Sequence, residues 1–297
     1  MIAKKLKAVL PRSLRRPLGI TRRWLRALPS RTRKQKEELL ASPALSSSER
    51  ELLRNVESRI FHEDGMYVGD GDHYFRVGLS AIHCIDDALE QAPIESVRRI
   101  LDLPCGYGRV MRFLVRRFPE ARITACELAQ DAVRFCVETF GAVPAISRQN
   151  PAELSFDEQF DLIWCGSLFT HLDEASILAL LDLFRRSLAP GGVALFTTHG
   201  ERVVDRMLAD EYDYSIARDR IPAMLDSYRR TGFGFTDYLD VTSYGVATDA
   251  RYGISLTAPD WIRERAARVG GLHEIFFRPH GWDDHQDVFG FIRRTET

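Results

Sequence analysis

From residue 97 onward, apolar positions recur along the chain in two alternating rhythms. "VRRILDL" (97–103) is a short apolar run flanked by arginines, as in a buried strand, and "RVMRFLVRRF" (109–118) spaces its apolar residues three and four apart, as on one face of a helix. The alternation continues. "ARITACEL" (121–128) predicts a strand, "AQDAVRFCVETFG" (129–141) a helix closed by Gly141, "VPAIS" (143–147) a short strand, and "FDLIWCGS" (160–167) another. "EASILALLDLFRRSL" (174–188) then predicts a helix and "GGVALFTTHG" (191–200) a strand. Strands separated by helical segments of this length predict βαβ units, and so an α/β architecture with a parallel sheet covered on both faces.

The rhythm fails between residues 201 and 256, where charged helix-like segments mix with the Gly- and Tyr-rich "GFGFTDYLDVTSYGVATDARYG". It resumes in "TAPDWIRERAARVGG" (257–271), a predicted helix with Thr257 as N-cap, Pro259 in the first turn and Asp260 complementing the dipole. "HEIFFRP" and "DVFGFIR" follow as strands, and their connector "HGWDDHQ" is short enough for an antiparallel hairpin. Upstream, Ser46 to Ser48 offer caps for a helix carrying Leu52 and Leu53, and "LSAIHCIDDALEQA" places apolar residues 79, 82, 85 and 89 at helical spacing. The division expected is a basic tail over 1–45, a helical cover over 46–96 and a core over 97–297 that carries an insertion at 201–256.

Charge changes the picture at one end. Thirteen Lys or Arg residues, and all five lysines, precede the first acid, Glu37; the rest of the 297 residues hold 28 arginines against 42 acids. The body is acidic and the tail basic. Three readings of residues 1–36 stand: a solvated arm, a segment resting on an anionic membrane surface, and a nucleic-acid contact. The second rests on "ITRRWLRAL", with Ile20, Trp24, Leu25 and Leu28 on one face and Arg22, Arg23 and Arg26 flanking them, and ranks behind the solvated arm. The acidic body opposes the third, so nucleic acid is the least expected partner. No apolar run approaches the roughly 18 to 20 residues a membrane span needs. A secretory leader is not expected, because Pro11 and Pro17 interrupt the segment and no apolar stretch of suitable length exists. Five cysteines without a C-x-x-C pair suit reduced thiols, and with them a cytoplasmic location, which the second reading of the tail would make peripheral at the inner membrane face.

The candidate chemistry starts at "LDLPCGYGRV". Here a strand ends on Asp102 and is broken by Pro104, Gly106 and Gly108. Glycines let the backbone turn tightly and approach a ligand, and a helix beginning at Arg109 aims free N–H groups into the turn. Glu127 ends the next strand, 21 residues after Gly106, where a carboxylate can accept two hydrogen bonds from ribose hydroxyls. A ligand containing a nucleoside is therefore expected. The dinucleotide fingerprint G-x-G-x-x-G is not met, since Met111 takes the third glycine's place and Pro104 the first.

"DLPCGYG" instead resembles the D/E-x-G-x-G-x-G turn of class I S-adenosylmethionine-dependent methyltransferases, with Pro104 in place of the first glycine. The resemblance covers about residues 97–200 and extends loosely to the C-terminus. "QNPAELSFDEQFDLIWCGSLFTHLD" is similar to the family's segment running from the third strand past the fourth, and "LAPGGVALFTTHG" to its Pro-Gly-Gly turn and fifth strand. The resemblance implies a Rossmann-like, seven-stranded, mostly parallel sheet with an antiparallel last strand and helices on both faces. It implies S-adenosyl-L-methionine as cofactor, contacted by Asp102, Pro104, Cys105, Gly106, Tyr107, Gly108, Glu127, Leu128, Asn150, Cys165, Gly166 and Ser167. Asn150 falls where the family commonly has an Asp facing the adenine amino group; it also suits the start of a turn before Pro151.

Methyl transfer to oxygen, or secondarily to nitrogen, of a small molecule or saccharide is the expected reaction. A base would come from His199, His171 or His285, in that order by position, although each also suits a structural role. His285 lies among Asp283, Asp284 and Asp287, but no paired spacing there points to a metal, and none is expected. Tyr67 and Tyr74 before the core, and Tyr238, Tyr244 and Tyr252 in the insertion, are candidates for covering the donor and shaping the acceptor site. The alternatives are a nicotinamide oxidoreductase and a catalytically idle module that binds the same nucleoside. The identity of the acceptor and the oligomeric state leave no trace in the sequence.

Overall fold

The computed structural model describes residues 25, 27–211, 214–240 and 251–294. Most of the basic tail, including Ile20 and Trp24, and also Tyr244, therefore lie outside the described residues. The chain divides into two compact units, residues 1–76 and 77–297.

In the first unit, α1 (Pro29–Leu40) and α2 (Ser47–Asn55) are followed by the start of α3 (Gly71–Leu89). Ser46 caps α2 reciprocally: its hydroxyl accepts from Glu49 N–H at 3.2 Å, and the Glu49 carboxylate accepts from Ser46 N–H at 2.6 Å. Tyr74 donates to Asp64 and Tyr67 to Gln35, both at 2.7 Å, and the two rings meet edge to face. Both hydroxyls are thus used inside their own unit.

The strands of the second unit are β1 (Arg99–Asp102), β2 (Arg122–Glu127), β3 (Val143–Ile146), β4 (Phe160–Cys165), β5 (Leu188–Thr198), β6 (Phe233–Asp237), β7 (Gly253–Thr257), β8 (Leu272–Trp282) and β9 (Gln286–Arg293). All but β6 and β7 form one seven-stranded sheet of spatial order β3-β2-β1-β4-β5-β9-β8. β1 to β5 are parallel, and β9 runs antiparallel to both β5 and β8. The sheet is the one expected. Its helices are α4 (Met111–Arg117), α5 (Gln130–Phe140) and α6 (Glu174–Ser187); α7 (Glu201–Leu208) and α8 (Ile221–Thr231) belong to the insertion, and α9 (Pro259–Val269) precedes β8. Gly141 ends α5 at φ 70°, and Asp173 caps α6 by accepting from Ser176 N–H at 3.0 Å. Apolar side chains fill the space between sheet and helices, with Phe196 stacked between Phe169, Phe289 and Phe291.

Two local expectations are corrected. The helix after the glycine turn starts at Met111, not Arg109, because Gly108 N–H turns back to the Cys105 carbonyl at 3.0 Å. Thr257 does not cap α9. It closes β7, where strand pairing holds it extended, and Ala258 takes the cap position without a side-chain bond. The insertion is also more ordered than its sequence suggests. Helices α7 and α8 pack on the two-stranded antiparallel sheet of β6 and β7, around Val203, Met207, Met224, Tyr228 and Leu256. All five cysteines are buried free thiols. Among the described residues no helix is long and apolar enough to cross a membrane.

Candidate functional site

The turn after β1 is held open from behind. Gly106 and Gly108 have φ of 50° and 75°, values that side chains rarely adopt, and a Cβ on Gly108 would meet the Phe140 ring at 2.4 Å. Arg112, on the first turn of α4, is wholly buried; its Nε donates to the Gly108 carbonyl at 3.0 Å and an Nη to the Tyr107 carbonyl at 3.4 Å. With two consecutive carbonyls drawn toward the guanidinium, the loop is fixed at its centre. Tyr107 leans outward onto α5, donating to Asp131 at 2.7 Å. Cys105 lies buried beneath, its N–H bound to the Cys126 carbonyl. Pro104 follows a cis peptide bond. Arg112 is not legible in the sequence: in an amphipathic helical repeat, an arginine reads as solvent-facing.

Asp102 and Glu127 converge on this turn. Glu127 accepts from Gly106 N–H at 3.1 Å and Leu128 N–H at 2.6 Å; burial raises its pKa and these main-chain bonds oppose the rise. Asp102 is buried with Oδ2 lacking any hydrogen-bond partner, and burial, reinforced by the Glu127 charge, pushes its pKa well up. A buried carboxyl oxygen without a partner costs on the order of 1–3 kcal/mol, so it suits a ligand that brings a donor or a positive charge.

Beside Glu127 opens a cavity of about 230 Å³, with Leu103 and Pro104, which follow Asp102, in its wall. Leu103, Pro104, Glu127 and Leu128 wall one side, Ser147 to Gln149 the next, Leu168 and Leu172 a third, and Arg251 and Tyr252 come from the insertion. It lies beyond the carboxyl ends of β1, β2 and β4, where open α/β sheets bind ligands. Asn150 is not in its lining. The Asn150 side chain caps the short turn at Pro151, accepting from Ala152 N–H at 3.1 Å and donating to Glu153 at 3.2 Å. Arg251, which the sequence did not single out, pairs with Asp237 at 3.0 Å across the start of the β6–β7 hairpin.

Residues 100–192 match the family model described as "Methyltransferase domain". That stretch, from β1 into β5, is similar to a methyltransferase domain. The chain is 31% identical over 110 residues to a malonyl-[acyl-carrier protein] O-methyltransferase of Bacillus cytotoxicus, covering 37% of this chain and 38% of that protein. It is 34% identical over 65 residues to a trans-aconitate 2-methyltransferase of Rhodopseudomonas palustris, covering 22% and 25%. The match thus spans well under half the length of either relative. A solved S-adenosylmethionine-dependent methyltransferase from Clostridium acetobutylicum aligns with a TM-score of 0.47 at 15% identity, over 74% of this chain and 92% of that one.

At the end of β4, Cys165 is buried and Gly166 lies against Trp164 and Trp282, where a Cβ would meet both rings at 3.0 Å. Ser167, at φ 60°, is held from three sides: its N–H donates to Thr197 at 2.7 Å, its carbonyl accepts from Thr170, and its hydroxyl accepts from Gln286 at 3.0 Å. Thr197 and Gln286 were not singled out in the sequence; they order this turn.

The three histidines, far apart in sequence, lie in one row. The His171 and His199 ring centroids are 6.4 Å apart, and those of His199 and His285 5.4 Å. Tyr252, which lines the cavity, lies 5.1 Å from His171, ring to ring. All three are held neutral. Burial brings His171 down to about 4 and lowers His199 well below the ordinary range; for His285, burial and the cations Arg206 and Arg202 give about 4. His285 Nδ1 accepts from Arg206 at 2.7 Å, so its lone pair is engaged. Among the described residues no group of His, Cys, Asp and Glu side chains is arranged to hold a metal.

Proposed function

We propose that this protein transfers a methyl group from S-adenosyl-L-methionine to an oxygen of a small molecule or saccharide. The observation that carries the reading is the buried Asp102 Oδ2, without a hydrogen-bond partner, at the end of the strand whose next residues, Leu103 and Pro104, line the apolar cavity. It fits the ammonium end of the donor's amino-acid part, while Glu127 at the cavity wall fits the ribose hydroxyls. Leu103, Leu128, Leu168 and Leu172 offer apolar faces to the adenine, and Gln149, also in the lining, offers an amide to its edge in place of Asn150. The bound donor supplies a methyl group already activated on a sulfonium. The protein's work is to align the acceptor and take up its proton, and positioning alone supplies several kcal/mol. His199 at the end of β5 is the base by position, with His171 second; His285, bound to Arg206, is the least suited. The name of the malonyl-[acyl-carrier protein] O-methyltransferase relative supports oxygen as the accepting atom.

The test is direct. Calorimetry on the full chain should register binding of S-adenosylmethionine and S-adenosylhomocysteine, and a metabolite panel should release S-adenosylhomocysteine. Absence of binding by either compound sinks the reading. NADH titration addresses the oxidoreductase alternative.

The basic stretch over residues 1–36 supports a peripheral position on an anionic membrane face, which would suit a lipid-linked acceptor. Flotation with anionic liposomes, with and without that stretch, decides it. Equal partitioning removes the idea.

A further inference from the structure

Among the described residues lining the cavity beside Glu127, Tyr252 is the one aromatic, and it reaches that wall from the insertion. It packs on two cores at once. One contains Phe169, Leu172 and Trp261, the other Val203, Met224 and Leu256, and the half-buried Tyr252 lies against both.

Contacts on either side of Tyr252 tie it to the segment Leu168–Leu172, whose two end residues also line the cavity. His171, within that segment, has Nδ1 3.0 Å from the Gly253 carbonyl and 2.8 Å from the Tyr238 hydroxyl, and its ring lies 5.1 Å from that of Tyr252. Ser255, wholly buried, donates to the Phe169 carbonyl at 2.6 Å. Within the hairpin, Tyr238 N–H donates to the Tyr252 carbonyl at 3.0 Å. Arg251 pairs with Asp237 at 3.0 Å and lies over the Phe235 ring at 4.8 Å. The main chain on both sides of Tyr252 is thus fixed before any ligand arrives, which spares binding the cost of ordering it.

A preformed aromatic wall suits a flat ligand. Stacking of a base on an aromatic side chain is worth about 1–3 kcal/mol, and the other apolar walls of this cavity are leucines and prolines. Glu127, which suits the ribose hydroxyls, lines the same cavity, so the base attached to that ribose falls within reach of these walls. We propose that Tyr252 is the adenine-stacking residue of the donor site, so that the insertion takes part in recognising the adenosyl half of the donor as well as shaping the acceptor side. The proposal rests on the methyl-transfer reading above.

The experiment is calorimetry on the full chain with two probes: S-adenosylhomocysteine, and methylthioadenosine, which keeps the adenosine half and lacks the amino-acid part. Tyr252→Ala should weaken both by at least about fivefold, while Tyr252→Phe, which keeps the ring, should stay within about twofold of the wild-type protein. Asp102→Asn should weaken S-adenosylhomocysteine alone. Wild-type affinity of Tyr252→Ala for methylthioadenosine overturns the proposal, whatever happens to S-adenosylhomocysteine. Should Tyr252→Ala fail to fold, Tyr252→Trp gives a spectroscopic readout. Its added indole emission should be quenched by methylthioadenosine, because the base lies on the ring; emission unchanged at saturation overturns the proposal. A wild-type protein that binds neither probe is a separate outcome that removes the methyl-transfer reading as well.

Discussion

Arg112 donates to the main-chain carbonyl of Gly108 from one turn further along the chain, at 3.0 Å, with no part of the arginine exposed. Hydrogen bonds from a charged donor are worth more than neutral ones, and here they fix the loop on which donor binding depends. Arg112→Met should lower stability by about 1–3 kcal/mol, because the Tyr107 carbonyl loses its side-chain donor while the Gly108 carbonyl keeps only the main-chain bond from residue 112. Arg112→Lys keeps the charge but not the planar fork, so it should fold and bind S-adenosylhomocysteine about tenfold more weakly. Thermal melting and calorimetry separate the two effects. Unchanged affinity in a folded Arg112→Lys protein would show that the loop keeps its shape without the fork.

The two glycines of the turn should not respond alike. Both have positive φ, and alanine in that region costs about 1–2 kcal/mol. At Gly106 nothing stands within 4 Å of a new Cβ, so the backbone term is the whole cost. At Gly108 the Phe140 ring stands at 2.4 Å and must move. Gly108→Ala should therefore melt lower than Gly106→Ala, and adding Phe140→Leu should recover part of the difference. Melting curves of the three variants check this; equal losses would refute the steric argument.

Why the sheet could be read from sequence and the site only in part follows from the range of the forces involved. "VRRILDL" and "ARITACEL" carry their burial in local periodicity, so β1 and β2 were legible to within one or two residues. β6 was not: "FGFTD" contains a glycine and alternates poorly, and what makes it a strand is pairing with β7, about twenty residues away. Asp102 and Glu127 could be read because strand ends place them without further information. The burial of Arg112, the bond from Gln286 to Ser167 and the gathering of three histidines depend on distant segments meeting. No local pattern announces such contacts.

Donor binding should release a proton. Asp102 is shielded from water, with Glu127, Cys105, Cys126 and Cys165 as its titratable neighbours and no cation among the causes of its shift, so its pKa in the unliganded protein is displaced toward the neutral acid. An ammonium group arriving beside Oδ2 favours the charged form and lowers the pKa. Binding heats of S-adenosylmethionine measured in phosphate and in Tris should differ by the buffers' ionisation enthalpies. Asp102→Asn should abolish that difference and weaken binding at least about tenfold, the loss expected for one charge-assisted hydrogen bond. A buffer-independent heat for the wild-type protein would place Asp102 away from the ammonium.

The histidine row should make the protein sensitive to mild acid. His171 faces Tyr238, Tyr252 and His199, and His285 faces Arg206, Arg202, Asp284, Tyr214 and His199. With folded values near 4 for His171 and His285, below the ordinary 6.5, the unfolded chain binds more protons between those limits. The contribution is therefore fully present above about pH 6.5 and is lost as the pH falls toward 4. For His171, whose ring is enclosed though the residue is only partly buried, the loss is at most about 3 kcal/mol, and His285 adds less because solvent screens it. Urea midpoints should be flat from pH 7 to 8 and fall steeply from 6 to 4.5. His171→Gln, which retains a donor for the Gly253 carbonyl but cannot take up a proton, should flatten that fall. If His171→Gln falls as steeply as the wild-type protein, the acid response comes from the carboxyls instead.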